Sequence, residues 1–382
     1  MIHSLNFKQT DDHGNEWSLN DFSFGKINLI AGRNSTGKSR TLNVIAGLGG
    51  LVAGERTIAP TQERFEAHFT DGAQKIDYFL EYKESTVRKE TLTIDADELL
   101  QRSDKGEGLI YAEELKGKIK FQVPEKSLAC VVRRDSIQHP YFQSLYNWGS
   151  CVRRYEFGSQ LGKNHIALFG KNEENSSLNP LNIKETNNVV AFFKRGIKDC
   201  GRDFIDLILN DINGIGYQID EIGVGPVQTV KIEGIDSVTP EGIFIKEKGH
   251  SHRVEQNEIS QGLFRAISLF IQLRFSEKFS EPSLILIDDI GEGIDYERSG
   301  ALIHAIIGIA KISNVQLIMT TNDRFVMNNV PLEYWSVLER DGGRCSVLNY
   351  RNSKTIFDEF EMTGLSNFDF FSSQYYAGKI ID

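Results

Sequence analysis

Two short stretches of this chain carry residue types at spacings that could do chemistry. The first is Gly32-Arg33-Asn34-Ser35-Thr36-Gly37-Lys38-Ser39, followed by Arg40, which fits G-x-x-x-x-G-K-[ST]. Glycines so spaced let backbone N–H groups curl around a phosphate. Lys38 adds a compact charge for the β- and γ-oxygens, Ser39 offers a hydroxyl to Mg2+, and the helix that follows adds its positive end. The second is Leu284-Ile285-Leu286-Ile287-Asp288-Asp289, an apolar run that ends in two acids. Asp288 suits a metal-water ligand and Asp289 a group that polarises an attacking water. Alone, such a run could be a strand ending in an acidic turn. Beside a phosphate loop, the metal reading is preferred.

These residues need a strand ahead of the loop and a helix after it. Lys26–Ala31 reads as an apolar strand and Lys38–Ile45 as a helix start, with earlier strands at Ile2–Phe7 and Trp17–Phe24. Alternating stretches at 76–82, 90–95 and 118–123 make the segment from 60 to 135 strand-rich. A helical period runs from Thr186 to Ile212 through Val190, Phe193, Ile197, Phe204, Leu207 and Ile208. Strand candidates follow at 217–223, 227–233 and 242–248. From Glu258 the pattern becomes helix (Leu263–Phe279), buried strand (Leu284–Ile287), helix (Arg298–Ile312) and buried strand (Val315–Thr320), the alternation of a parallel α/β layer. Both chain ends therefore build one core around a long insertion.

Composition narrows the classes. At 382 residues, with 40% hydrophobic and 25% charged, the chain is an ordinary globular one with room for a large core. A formal charge of −10 disfavours wrapping nucleic acid over the whole surface, although a local patch stays open. No uninterrupted apolar run is long enough for a membrane span, and the N-terminus has no basic region followed by an apolar one. Cys130, Cys151, Cys200 and Cys345 match neither a disulfide framework nor a zinc site. Reduced thiols in a cytoplasmic protein are the expectation.

The pieces GRNSTGKS, ISQGLFR (259–265), LILIDD and LIMTTN (317–322), in that order, resemble the SMC-like and OLD-type ABC ATPases of prokaryotes, including many phage-defence ATPases. The tail TGLSNFDFFSSQYY (363–376) adds a weaker likeness. The resemblance covers about residues 1–50 and 255–350. It implies a P-loop NTPase of the ABC-ATPase head type: an α/β fold with a RecA-like lobe, an antiparallel β lobe and an inserted helical and β region. The head would comprise 1–135 and 255–382, with 136–254 inserted. It further implies that Ser260, Gln261 and Gly262 form a signature turn gripping the γ-phosphate held by a second copy, although a Ser at a helix start is ordinarily just a cap. Asp295, six residues after Asp289, takes the D-loop position. The implied cofactors are ATP and Mg2+, and the implied assembly is an ATP-sandwiched homodimer.

Two positions depart from the family. The Glu expected after Asp288 is Asp289, one methylene shorter, with Glu292 as a fallback base. The switch His is replaced by Asn322, which can hydrogen-bond a phosphate but cannot carry charge. His304 lies within a predicted helix and reads as a satisfied or surface residue. Hydrolysis is therefore expected to be slow. Gln138 is the better candidate for a metal-side glutamine, then Gln143, while an ordinary core or surface Gln is the commoner outcome for either. Phe7, 25 residues before Gly32, is placed either to stack on adenine or simply to fill a strand core. Arg133-Arg134, Arg153-Arg154 and Lys194-Arg195 could meet nucleic-acid phosphates but more often form a solvated face. Tyr146-Asn147-Trp148 is as readily core as contact surface. No nuclease motif stands out, so the reading is an ATPase and sensor subunit of an antiviral system with a separately encoded effector. The alternatives are an ATP-gated scaffold with little turnover and a DNA-maintenance ATPase.

Overall fold

The computed structural model describes residues 1–170, 181–228, 238–279 and 283–378. The chain opens with β1 (Ile2–Thr10), β2 (Glu16–Ser23) and β3 (Ile27–Ala31), then α1 (Lys38–Val52). Six strands follow: β4 (Gln62–Asp71), β5 (Gln74–Lys83), β6 (Thr86–Ile94), β7 (Asp97–Arg102), β8 (Glu107–Ala112) and β9 (Gly117–Gln122). Next come α2 (Ala129–Val132), α3 (Phe142–Ser150), β10 (Val152–Glu156), β11 (Ala167–Gly170), α4 (Val189–Cys200) and α5 (Arg202–Gly214). Strands β12 (Ile219–Pro226), β13 (Val238–Glu247) and β14 (Val254–Glu255) precede α6 (Gln261–Lys278) and β15 (Ser283–Asp288). The chain closes with α7 (Tyr296–Ile312), β16 (Val315–Thr320), α8 (Arg324–Asn329), β17 (Trp335–Asp341), β18 (Arg344–Asn349), α9 (Lys354–Glu361) and α10 (Asn367–Ser372).

One sheet runs β10-β15-β16-β3-β17-β18-β2-β1-β4-β5-β6-β7-β8-β9. Its first five strands are mutually parallel, and from β2 to β9 every pairing is antiparallel. The parallel part is covered on both faces. Along β15, Leu284 and Leu286 join Leu42, Ile45 and Leu48 of α1, while Ile285 and Ile287 join the core of α6 and α7. Period-two alternation thus sends apolar side chains both ways, which is why the strand reads as one continuous apolar run. In β5 the alternation is one-sided: Ile76, Tyr78, Leu80 and Tyr82 are buried while Asp77 faces out. That suits a sheet with one wet face.

The helical period at 186–212 becomes two helices, because Gly201 adopts a φ of 63° and ends α4 before α5 begins. The candidate strand at 227–233 falls mostly outside the described residues. Within 136–254, β10 joins the main sheet, pairing Val152 through Glu156 with Leu284 through Asp288. Its two arginines disguise it in sequence. Arg153 is nevertheless buried, because the hydroxyls of Ser276 and Ser283 accept from its guanidinium. A smaller sheet, β11-β13-β12 with β14 on β13, completes that segment.

The antiparallel part is pinned by a buried ion pair. Glu90 accepts from Arg102, from the hydroxyl of Tyr78 and from the backbone N–H groups of Ala129 and Cys130. Arg102 also donates to the carbonyls of Pro124, Glu125 and Ser127, and both side chains are fully buried. Removing one partner strands the other charge. Arg102→Met is expected to cost about 3–5 kcal/mol of stability by urea unfolding; a loss below about 1 kcal/mol would show that water reaches Glu90.

Candidate functional site

The loop from 32 to 39 leaves β3 and enters α1 at the end of the parallel strands. Gly37 takes a φ of 108° directly over the Trp17 ring, a conformation and a fit only glycine tolerates well. Ser35 is also left-handed, at φ 66°. Arg340 donates to the Ser35 carbonyl and the Cys345 thiol to that of Thr36, so β17 and β18 brace the loop from behind. Lys38 is 7% exposed, and its ammonium donates to the carbonyls of Gly32 (2.8 Å) and Arg33 (3.2 Å). Burial lowers its pKa, and Asp289 and Asp288 draw it back up. Arg33, Asn34 and Ser39 are exposed, while Thr36 and Arg40 are half-buried. The Arg40 guanidinium lies over Trp17, 4.2 Å from its ring centre.

Asp288, at the C-terminal end of β15, meets this loop. Its Oδ1 accepts from Ser39 Oγ at 2.9 Å and from Thr320 Oγ1 at 2.6 Å, and its Oδ2 accepts from Arg154 at 3.0 Å. The Thr320 hydroxyl in turn accepts the N–H of Asp289 at 2.9 Å. Asp289 itself sits at a φ of 54°, a left-handed turn that Asp and Asn tolerate better than longer residues. Asn322 donates to Asp289 Oδ1 at 3.4 Å, so these two residues share one corner. Burial first, then the charge of Asp288, pushes the Asp289 carboxyl above its ordinary range, with Lys38 opposing. The serine hydroxyl and carboxylate suit Mg2+, which takes hard oxygen ligands and keeps several waters. Among the described residues, no group of three or more His, Cys, Asp or Glu side chains is placed to hold a metal ion.

The Ser260 turn forms the start of α6. Ser260 is exposed at the N-cap position, and its hydroxyl makes no capping bond. Gly262 packs so closely on the loop after β15 that a Cβ would lie 2.7 Å from the Gly293 carbonyl oxygen. Gln261 reaches the Ser159 carbonyl. Arg265 donates to the carbonyls of Ser159, Gly158 and Glu292, tying α6 to the loops after β10 and β15. Asp295 caps α7 through the N–H of Arg298 and pairs with that residue's guanidinium at 2.7 Å. The side chain of Glu292 lies against Gly158.

Several expected residues lie elsewhere. Gln138 is in the turn before α3; its N–H donates to Asp135 and its carbonyl accepts from Glu113 beside β8, and no hydrogen bond joins it to Ser39 or Asp288 among the described residues. A turn at the far antiparallel strands cannot serve the end of β15, so Gln138 is not brought to the Ser39–Asp288 contact. Gln143 bonds Asn147 on the surface of α3. Phe7 is 4% exposed and tilted against Trp17 and Phe65. It lines one side of a cleft of about 240 Å³ with Gln9, Arg40, Asn43, Arg56 and Glu63, but core packing already occupies its ring. His304 bonds the Gly300 carbonyl within α7. Trp148 packs on Phe69. The basic pairs are engaged internally: Arg133 with the Gln122 carbonyl, Arg134 over Tyr146, Lys194 with Glu241 and Arg195 with Asp199. Arg154, read from sequence as one of a solvated basic pair, instead meets Asp288, and Thr320 joins it there. Thr320 sits beside Asn322 in LIMTTN, and Arg154 had only the basic pair as its signal.

No protein-family model matches the sequence, and no curated protein does. Among solved structures, an SMC head bound to the C-terminal winged-helix domain of ScpA aligns with a TM-score of 0.51 at 13% identity, over 92% of this chain and 99% of that one. An SMC head from Thermotoga maritima aligns at 0.46 and 13% identity, over 91% and 98%. Another SMC head with an extended coiled coil, bound to a ScpA C-terminal domain derived from Pyrococcus furiosus, aligns at 0.46 and 11%, over 94% and 100%. The fold is shared with the first of these SMC heads. Among the described residues, no helix is long and apolar enough to cross a membrane.

The raised Asp289 pKa makes a stability prediction. Above that pKa the folded state bears the cost of an ionised, partly buried carboxylate beside Asp288; below the unfolded value, about 3.8, both states are protonated and the cost vanishes. Asp289→Asn, which keeps the left-handed turn, is expected to raise the melting temperature at neutral pH, with a gain that shrinks toward about pH 4. An equal or lower melting temperature at neutral pH would contradict the placement.

Proposed function

We propose that this chain is an ATP-binding, slowly hydrolysing ATPase head that dimerises around ATP and Mg2+ and regulates a separate effector, a nuclease or toxin, in prokaryotic antiviral defence. The observation that carries the nucleotide part is the Ser39–Asp288 hydrogen bond at the mouth of the Lys38 loop, which joins two motifs from opposite ends of the chain. Ser39 and Asp288 would hold Mg2+, whose bound charge offsets that developing on the β- and γ-oxygens. The backbone of 32–38 cradles the phosphates, with Lys38 exchanging its two carbonyl partners for phosphate oxygens. Asp289 accepts the proton of the attacking water. Asn322 orients Asp289 without adding charge, which keeps turnover slow. The Ser260 hydroxyl, with Gly262 and the start of α6, supplies the second copy's half of the site; Asp295 lines the same seam.

We further read residues 1–135 and 255–382 as the head, with 136–254 inserted yet sharing the sheet through β10. The defence role rests on the motif set's likeness to phage-defence ATPases. A separate protein partner is in keeping with the first SMC head above, which is bound to a ScpA domain. A scaffold with little turnover is favoured by the short reach of Asp289 and its Asn322 partner; DNA maintenance is the remaining alternative. Lys38→Ala should abolish ATP binding in calorimetry, and parental affinity would refute the loop assignment. Asp289→Asn should bind ATP and accumulate as a dimer in sizing columns, whereas a monomer peak unchanged by ATP would refute the sandwich.

A further inference from the structure

Asp288 already has a cation. Strand β10 runs parallel to β15 with Arg154 opposite Leu286 and Glu156 opposite Asp288. Residues two apart on a strand share a face, so Arg154, Glu156 and Asp288 all lie on the side covered by α1. One arm of the Arg154 guanidinium is 3.0 Å from Asp288 Oδ2, and the other is 2.7 Å from Glu156 Oε1. The pair with Asp288 is the drier one: the Asp288 side chain is 10% exposed, whereas that of Glu156 is 61% exposed. The remaining nitrogen, Nε, is buried with no hydrogen-bond partner. The guanidinium is therefore suspended between an inner and an outer carboxylate.

From this geometry, and resting on the nucleotide reading above, we infer that Arg154 is a resident counter-cation that holds Asp288 before metal arrives and cedes it to Mg2+ by leaning onto Glu156. The physical reason is charge. Asp288 and Asp289 are adjacent carboxylates, and Lys38, bound to the loop carbonyls, is the other cation acting on them. Without Arg154, Asp288 would face Asp289 less compensated. Once a divalent ion is at Asp288, a guanidinium 3.0 Å away is repelled by it, and Glu156 offers a wet and flexible alternative. Nucleotide binding thereby becomes linked to displacement of an internal ion pair, so metal affinity is set by two residues outside the recognised motifs.

The measurement is the ratio of affinities for a fluorescent N-methylanthraniloyl ATP in saturating Mg2+ and in EDTA, taken for each variant of the full chain. Because each variant is its own reference, any direct pull of Arg154 on the nucleotide cancels. Arg154→Gln removes the competitor, and its ratio is expected to rise about three- to tenfold over wild type. Glu156→Gln removes the alternative partner and is expected to lower the ratio about two- to fivefold. A purely structural role for Arg154 would not move the two ratios in opposite directions. An unchanged or lower ratio in Arg154→Gln overturns the inference. If that variant fails to fold, Glu156→Gln, whose side chain is exposed, decides alone: a ratio equal to or above wild type overturns it. Wild type that binds the probe in neither condition would fell the nucleotide reading itself.

Discussion

The hydrogen bond from Ser39 to Asp288 spans 249 positions of sequence, and the rest of the site depends on it. For those side chains to meet, β3 and β15 must be parallel, separated only by β16, and end at the same level. Their burial on both faces supplies the force: α1 covers one side and α6 with α7 the other, each taking alternate residues of the same apolar runs. A one-residue slip of β15 would turn Asp288 away from the loop and put Asp289 in its place. The register of β15 on β16 is therefore what the meeting of Ser39 and Asp288 relies on.

Around that contact the structure gathers charges that compensate one another. Lys38 and Arg154 offset Asp288 and Asp289, and Thr320 links the two aspartates through one hydroxyl that donates to the first and accepts from the second. Asp289 is held in a left-handed turn, which a short acidic side chain tolerates and a longer one resists. The shorter acid here is consistent with its backbone. Arg265 performs a similar service for the α6 start, tying three carbonyls from two loops so that the Ser260 turn moves with the loop after β15.

Much of the architecture was legible in order and kind. The strands β3, β15 and β16 and the helices α1, α6 and α7 follow from apolar runs and helical periods. The break at Gly201 was missed because apolar spacing on either side stays helical, and a single left-handed residue leaves no trace in hydrophobic periodicity. β10 was missed because two arginines in five residues read as a polar surface. Only the hydroxyls of Ser276 and Ser283, over 120 residues away, make Arg153 a core residue.

The candidate site residues, the loop 32–39, Asp288, Asp289, Asn322 and the Ser260 turn, are legible in sequence alone, because phosphate and metal binding demand particular atoms at fixed local spacing. Which of them meet, and with what company, was decided by tertiary structure. Gln138 and Phe7 lie at plausible sequence distances, yet one belongs to a turn at the far strands and the other to a packed aromatic core. Arg154 had no distinguishing local pattern and nonetheless reached Asp288, because pairing between strands far apart in sequence, with the side-chain face it imposes, is a property of the assembled sheet.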